Sequence, residues 1–583
     1  MSEKMINLKV NGIAVSVPEG TTILEAARTV GIKIPTLCYL KNINEIGACR
    51  VCVVEVKGAR TLTASCVYPV AEGMEVTTNS EKVTDARRKT VELLLSDHNK
   101  SCLSCARNGQ CELAEISTNL GCDAMKYHGE APMHLTDHSS EWLVRDNTKC
   151  VVCKRCVAMC KKIQEVSVID AMKRGHNTYI GCAFDQDLAE VECAACGQCI
   201  NVCPTGALQE KDDLAKIQRA ITDPSKHVIV ATAPAVRVAI GEEFGYEIGT
   251  NQEGKMVTAL KYLGFDKVFD IDFSADLTIM EEAYEFINRV KTGGTFPMFT
   301  SCSPGWIRYI EYYYPELLDN LSSCKSPQQM FGAVIKTYYA QKNNIDPKDI
   351  VMVTVMPCTA KKFEITRDDQ NAGGVPDIDY VMTTRELARF VKRKGIDFTI
   401  LPEGEFENPF GVGSGAGLIF GVTGGVMEAA LRTASEVLTG ESLPAEKLDF
   451  VDVRGMEGVK EANYNINGLE IKVAVVSGLT NAKKLCEAVK KGEADYHFVE
   501  VMCCPGGCLN GGGQPLVNAD TRNFTDYKAL RAKALYDTDK GMTLRKSHEN
   551  PYIKQLYADY YGEPNSHKAH HDLHTTYVNR KNK

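Results

Sequence analysis

CVVCKRCVAMC (150–160) and CAACGQCINVCP (193–204) decide how this chain is read. Cys150, Cys153, Cys156 and Cys160 are spaced C-x2-C-x2-C-x3-C; Cys193, Cys196, Cys199 and Cys203 repeat that spacing, and Pro204 follows the last thiol. Written twice, this is the pattern with which one module binds two 4Fe–4S clusters, the fourth cysteine of each run ligating the other cluster. One cluster is therefore expected on Cys150, Cys153, Cys156 and Cys203, and the other on Cys193, Cys196, Cys199 and Cys160. A chain so equipped carries electrons.

Two further blocks lie upstream. Residues 4–17 alternate apolar and polar about Asn11-Gly12, which predicts a two-residue hairpin. Residues 21–32 predict a short amphipathic helix, capped by Thr21 or Thr22 and ended by Gly31. A hairpin followed by a helix opens a small mixed sheet of the β-grasp kind. Cys38, Cys49, Cys52 and Cys66 follow, four thiolates suited to a 2Fe–2S cluster, with Gly47 expected where backbone passes close to sulfur. After a predicted helix over 81–97 come His98, Cys102, Cys105 and Cys111. On chemistry alone this set holds zinc or a 4Fe–4S cluster. Its place between two cluster-binding blocks favours the cluster. His128, His134 and His138 show no ligand spacing and are expected at the surface.

The 583 residues imply several domains, 44% of them hydrophobic and 24% charged, as in a globular protein. A net charge of −8 offers no basic field for nucleic acid or anionic lipid. No run of 18 apolar residues predicts a membrane span. Twenty-four cysteines behind a start (MSEKMINLKV) without an apolar leader suggest metal thiolates in a reducing cytoplasm, not disulfides.

Beyond a polar connector at 210–225, short apolar runs alternate with helical segments: 227–234, 266–273, 297–302, 350–358, 469–478 and 497–504. Such runs predict a largely parallel sheet covered on both faces, over roughly residues 215–540 and in two lobes. GVGSGA (411–416) formally fits a dinucleotide fingerprint, but no strand precedes it; close backbone packing is the better account. Three cysteine motifs stand where predicted strands end: TSCSPGW (300–306), MPCTAKKFE (356–364) and EVMCCPGGCLNGGGQP (500–515). Ligands of open parallel sheets bind beyond the carboxyl ends of strands, so the three loops are expected to converge on one site. Cys122, Cys182, Cys324 and Cys486 lack such context and read as unlinked buried cysteines.

These three loops resemble the signature loops of iron-only (FeFe) hydrogenases, and the upstream blocks resemble that family's accessory domains and the large electron-transfer subunit of respiratory complex I. The resemblance implies an H-cluster: a 4Fe–4S cubane bridged to a di-iron unit carrying CO, CN⁻ and a dithiolate. Position by position it implies Cys358, Cys504 and Cys508 as cubane ligands, Cys508 being the bridge, with Lys361 at a cyanide and Met356 and Met502 packed near the di-iron unit. Cys503 is additional. The family has two adjacent cysteines in its first loop, a proton relay and then a cubane ligand; here the pair is Cys302-Ser303. Strict register puts Ser303 at the ligand position, and serine is a hard ligand and a poor match for iron–sulfur. Either Cys302 takes over ligation by a small loop shift, or Ser303 ligates through oxygen, or the site is impaired; Cys302 is the expected ligand, with Ser303 near the relay. The resemblance further implies a proton path through Glu282, Ser322 and Glu285, with Glu364 and Arg289 nearby; on spacing alone, the Glu281-Glu282-x-x-Glu285 helix reads as a solvated acidic face.

The expected architecture is multidomain, α/β and α+β. A β-grasp 2Fe–2S ferredoxin-like domain (1–79) precedes a His/Cys3 4Fe–4S domain (80–138) and a two-4Fe–4S ferredoxin domain (139–209). A two-lobed α/β catalytic H-cluster domain (210–540) and a C-terminal tail (541–583) complete it. The expected cofactors are one 2Fe–2S cluster, three accessory 4Fe–4S clusters and the H-cluster; the expected activity is reversible 2H⁺ + 2e⁻ ⇌ H₂. By resemblance the partners are ferredoxin and the flavoprotein NADH-oxidising and small Fe–S subunits of NAD-linked hydrogenases. The rivals are a non-catalytic electron-transfer subunit, against which the three loops argue, and an H₂-sensing or cluster-assembly relative, which the Cys302-Ser303 departure keeps open.

Overall fold

The computed structural model describes residues 4–129, 136–444, 448–454, 458–466 and 468–581. Strands β1 (Met5–Val10) and β2 (Ile13–Pro18) form the expected hairpin, in which Asn11 and Gly12 both take positive φ, as a two-residue turn requires. With β3 (Val53–Val56), β4 (Thr63–Ala64) and β5 (Glu75–Thr77) they form a mixed sheet of order β2-β1-β5-β3-β4. Helix Ile23–Thr29 covers it, opened by a capping box between Thr22 and Glu25. Gly47 has φ +60°, but the side chain pressed against it is Val67, not a cysteine. Helices Glu81–Ser96 and Glu112–Asn119 carry the His98 block between them. His128 and His138 are exposed, and His134 lies outside the described residues.

The ferredoxin module contains β6 (Thr136–Asp137), β7 (Leu143–Asp146), β8 (Asp170–Met172), β9 (Tyr179–Gly181) and β10 (Leu208–Glu210). Its two cysteine runs repeat in backbone as well as in spacing. Val152 and Lys154 in the first run, and Ala195 and Gly197 in the second, all take positive φ. The resulting turn aims amides at sulfur: Val152 N–H donates to Cys150 Sγ at 3.3 Å and Ala195 N–H to Cys193 Sγ at 3.4 Å. Lysine serves at 154, whereas at 197 a Cβ would collide with Thr359 and Gly512.

The catalytic region holds two sheets. β11 (His227–Thr232), β12 (Lys267–Asp270), β14 (Ile350–Met356) and β15 (Tyr380–Thr383) form one, ordered β12-β11-β14-β15 and all parallel. β13 (Met298–Phe299), β16 (Val459–Ile466), β17 (Leu469–Ser477) and β18 (Phe498–Met502) form the other, ordered β13-β18-β17-β16, with β16 antiparallel to β17. The runs at 266–273 and 297–302 yield shorter strands than expected, because a helix begins at Asp272 and the chain leaves the sheet after Phe299. Helix Asp272–Thr292 joins the lobes, giving Phe273 and Leu277 to one core and Ala275, Ile279 and Phe286 to the other. The glycine-rich segment packs backbone on backbone: a Cβ on Gly417 would reach Asp272 O at 2.5 Å.

The segment expected to be a tail is built into the core. Helices Pro551–Leu556 and His567–Leu573 bury Ile553, Leu556, Ala569 and Leu573, and Lys325 N–H donates to Leu573 O at 2.8 Å.

Arg385 locks the ferredoxin module to the catalytic region. Its guanidinium donates to Glu210 at 2.6 Å, to Asn201 Oδ1 at 3.2 Å, and to the carbonyls of Gly512 and Gln514 at 2.6 Å. Removing one partner of a buried ion pair costs about 3–5 kcal/mol. Arg385→Ala is expected to lower the apparent unfolding temperature and expose the junction to protease, and Arg385→Lys, lacking the planar fork, to restore little of either. Wild-type melting and proteolysis of Arg385→Ala would refute this role.

Candidate iron–sulfur relay and catalytic site

Burial makes the cysteine sites costly without a metal. It pushes the thiols of Cys150, Cys160 and Cys508 up to about 12 and that of Cys193 up to about 11. Thiolates here need nearby positive charge, which iron supplies on binding.

At the N-terminal block the four thiols stand as two pairs. Cys52 and Cys66 Sγ are 3.3 Å apart, and Cys38 and Cys49 are within hydrogen-bonding reach of each other. The partner thiols pull Cys49 down to about 6 and Cys52 to about 7. Two thiolates on each of two irons is the demand of a 2Fe–2S cluster, and this geometry fits it. In the next block His98 Nδ1 is buried without a partner, and burial lowers its pKa to about 4. A neutral imidazole with an orphaned nitrogen fits a metal ligand. A Cβ on Gly206 would sit 2.5 Å from Cys105 Sγ, so this block rests on the ferredoxin module just past Cys203. Asn44 Nδ2 joins the first block to the same module, donating to Cys38 O at 2.8 Å and Cys153 O at 3.0 Å. Both front sites thus abut the Cys150/Cys153/Cys156/Cys203 set.

The second cysteine run faces the catalytic loops. Thr359 Oγ1 donates to Ala195 O at 2.8 Å, Gln198 Nε2 to Asn510 O at 2.6 Å, and Arg308 Nε to Cys193 O at 2.6 Å. Beyond this contact lies an apolar cavity lined by Cys302, Ser303, Cys358, Cys503, Cys504 and Cys508. The ends of β13, β14 and β18 bring the three cysteine loops together there, as their positions after strands predict. Met356 and Met502 line the same cavity.

Lys361 also lines the cavity, its ammonium held by Ser326 Oγ at 2.8 Å, Glu364 at 3.0 Å and Cys302 O at 3.3 Å. Glu364 is therefore Lys361's counter-ion, accepting also from Ser326 and Gln328. The Glu282 carboxyl is within hydrogen-bonding reach of Ser322, whose hydroxyl donates to Glu285 at 2.8 Å; Arg289 holds Glu285 at 2.6 Å. Glu281 and Glu282 are 0% and 1% exposed, which overturns the reading of a solvated face. Burial, reinforced by Glu285, raises Glu282 to about 8, and its Oε1 has no partner.

Several participants were not read from sequence. Glu500 is buried at about 7, accepting from Gly424 N at 2.6 Å and Met427 N at 2.8 Å at the start of helix Gly425–Thr439. Nothing in a strand sequence marks it, since its partners come from a distant glycine turn. His574 bridges Glu281 (3.1 Å) and Ser323 (2.8 Å) from the C-terminal segment. Cys182, Cys324 and Cys486 are buried as expected, whereas Cys122 is only partly so.

Residues 226–512 match the family described as iron only hydrogenase large subunit, C-terminal domain, and residues 525–580 match iron hydrogenase small subunit. Residues 3–81 match a 2Fe–2S iron–sulfur cluster binding domain, 87–125 an NADH-ubiquinone oxidoreductase-G iron–sulfur binding region, and 141–209 a ferredoxin-like domain of NADH-quinone oxidoreductase subunit 3. The chain belongs to the iron-only hydrogenases. It is 49% identical to NADP-reducing hydrogenase subunit HndD of Solidesulfovibrio fructosivorans, over 99% of both chains. Iron hydrogenase 1 of Clostridium pasteurianum is 44% identical over 98% of this chain and 100% of its own. A solved HydA1 structure from Chlamydomonas reinhardtii superimposes with a TM-score of 0.56 at 45% identity, covering 63% of this chain and 99% of that one.

General acid–base groups contribute about 10²–10⁴ in rate. Glu282→Gln is therefore expected to lower H₂ turnover by at least about 100-fold while iron content and cluster EPR signals stay at wild-type levels. Turnover within a few-fold of wild type would exclude Glu282 from the proton path.

Proposed function

We propose that this chain is the H₂-activating subunit of a multimeric hydrogenase of the cytoplasm. It would pass electrons between an H-cluster and four accessory clusters, one 2Fe–2S and three 4Fe–4S. Ferredoxin and an NAD(P)-linked flavoprotein with a small Fe–S subunit are the proposed exchange partners. The observation that carries this reading is the direct packing of the Cys193–Cys199 loop against the loops of Cys358 and Cys504. The relative that reduces NADP, and the two front sites abutting one ferredoxin cluster set, favour a branched relay with more than one external partner. The proposed domains run 1–79, 80–138, 139–209, 210–540 and 541–583. Among the described residues no helix is long and apolar enough to cross a membrane.

When bound, the di-iron unit supplies the open metal site at which H₂ is split or formed. The chain's own residues do the rest. Cys358, Cys504, Cys508 and Cys302 are proposed as the cubane thiolates, a thiolate being the softer choice over the Ser303 hydroxyl. Lys361 presents a compact cation to an anionic ligand. The methionines and the apolar lining exclude bulk water. Glu282 exchanges the proton with Ser322, which hands its own to Glu285 beside Arg289. Because Glu282 titrates near pH 8, it is mostly protonated at neutral pH, and H₂ evolution should fall as pH rises through that value.

Infrared bands of CO and CN⁻ in matured protein test the function, and their absence would refute it. The ligand counts give about 20 irons per chain, and a value near ten would refute the cluster count. Cys302→Ala is expected to remove the cubane signal together with activity, whereas Ser303→Ala keeps the CO and CN⁻ bands; a complete H-cluster spectrum in Cys302→Ala would reassign the ligand. His98→Cys should retain a 4Fe–4S cluster at lower potential, since an anionic thiolate replaces a neutral imidazole. Zinc bound at this block in anaerobically prepared protein would contradict the relay.

A further inference from the structure

Cys503 has no task in the function proposed above. It is 2% exposed, and its Sγ is within hydrogen-bonding reach of both the Cys504 and the Cys196 side chains. Cys504 belongs to the proposed catalytic cubane and Cys196 to the accessory cubane facing it, so this thiol stands between ligands of two clusters. Its position is fixed on several sides. Gln164 Nε2 donates to Cys503 O at 3.1 Å and lies 3.8 Å from its Sγ. Cys503 N–H donates to Ser303 Oγ at 3.2 Å. Gly305 leaves the room the sulfur needs, since a Cβ there would lie 2.7 Å from Cys503 Sγ. Ser303 and Cys503 are thus hydrogen-bonded neighbours.

We infer that the Cys503 S–H is a hydrogen-bond donor shared between the two clusters, bonding the ligand sulfur of Cys196 or of Cys504 and favouring the reduced form of whichever it bonds. Hydrogen bonds to ligand sulfurs set cluster potentials, because they stabilise the added negative charge of the reduced state. One thiol carries one proton, so it serves one acceptor at a time. Rotation about Cβ–Sγ directs it to the sulfur bearing more charge, with no covalent bond broken. Cys503 is in this sense a positioning residue at the crossing from relay to catalytic site.

The inference rests on the proposed H-cluster only for the acceptor at Cys504; the acceptor at Cys196 is independent of it. The test is an anaerobic redox titration of the full-length matured protein, followed by EPR of the accessory cubanes, for wild type, Cys503→Ala and Cys503→Ser. The alanine variant is expected to lower the midpoint of at least one of the two facing clusters. A tenfold change in its oxidised-to-reduced ratio at fixed potential corresponds to about 59 mV. Serine keeps a donor and should shift less, and it serves as the readout if the alanine variant does not accumulate. Potentials unchanged in both variants would overturn the inference. So would loss of about four irons per chain in Cys503→Ala, which would make Cys503 a cubane ligand instead. Absence of CO and CN⁻ bands from the wild type would refute the H-cluster reading while leaving the shift at the Cys196 cluster measurable.

Discussion

The packing of one ferredoxin loop into the catalytic region is the constraint on which the rest of this molecule depends. Residues 194–197 press against Thr359, Gly305 and Gly512 so closely that glycine is required on both sides of the contact. The backbone carbonyls of Cys193, Ala195 and Asn510 are satisfied by Arg308, Thr359 and Gln198 across the boundary. Leaving such groups buried without partners would cost about 1–3 kcal/mol each, so the boundary works as a hydrogen-bonded joint and not as a loose domain contact. Arg385 and its counter-ion Glu210 clamp the same joint from the far side.

Helix Asp272–Thr292 joins the two lobes and carries several buried acids. Its buried acids are divided by partner. Glu282 and Glu285 share Ser322, whereas Glu281 is taken by Tyr557, Asn565 and His574 from the C-terminal segment. The C-terminal segment therefore helps hold helix Asp272–Thr292 in register.

Much of the cluster chemistry was legible in the cysteine spacing, because short-range ligand sets are a property of local chain geometry. The repeated left-handed residues of the two ferredoxin runs follow from the same spacing. The capping by Thr22 and the Asn11-Gly12 turn were legible too, each decided by a few adjacent residues. The convergence of the three catalytic loops could be anticipated from their place after apolar runs. β15 and β16 could not, since the first has only four residues and the second is half polar, pairing at the edge of its sheet.

Which atoms meet across hundreds of residues is a matter for the folded chain. The cradle of amides around Glu500 and the position of Cys503 beside Ser303 join segments with no local signal of one another. Sequence alone determined that this chain carries iron–sulfur domains and in what order, since thiolate spacing along a turn is sufficient for that. Tertiary structure decided which buried carboxylates stay protonated, which cations neutralise which anions, and how closely the two cluster-bearing regions approach, because burial and long-range packing set desolvation and distance.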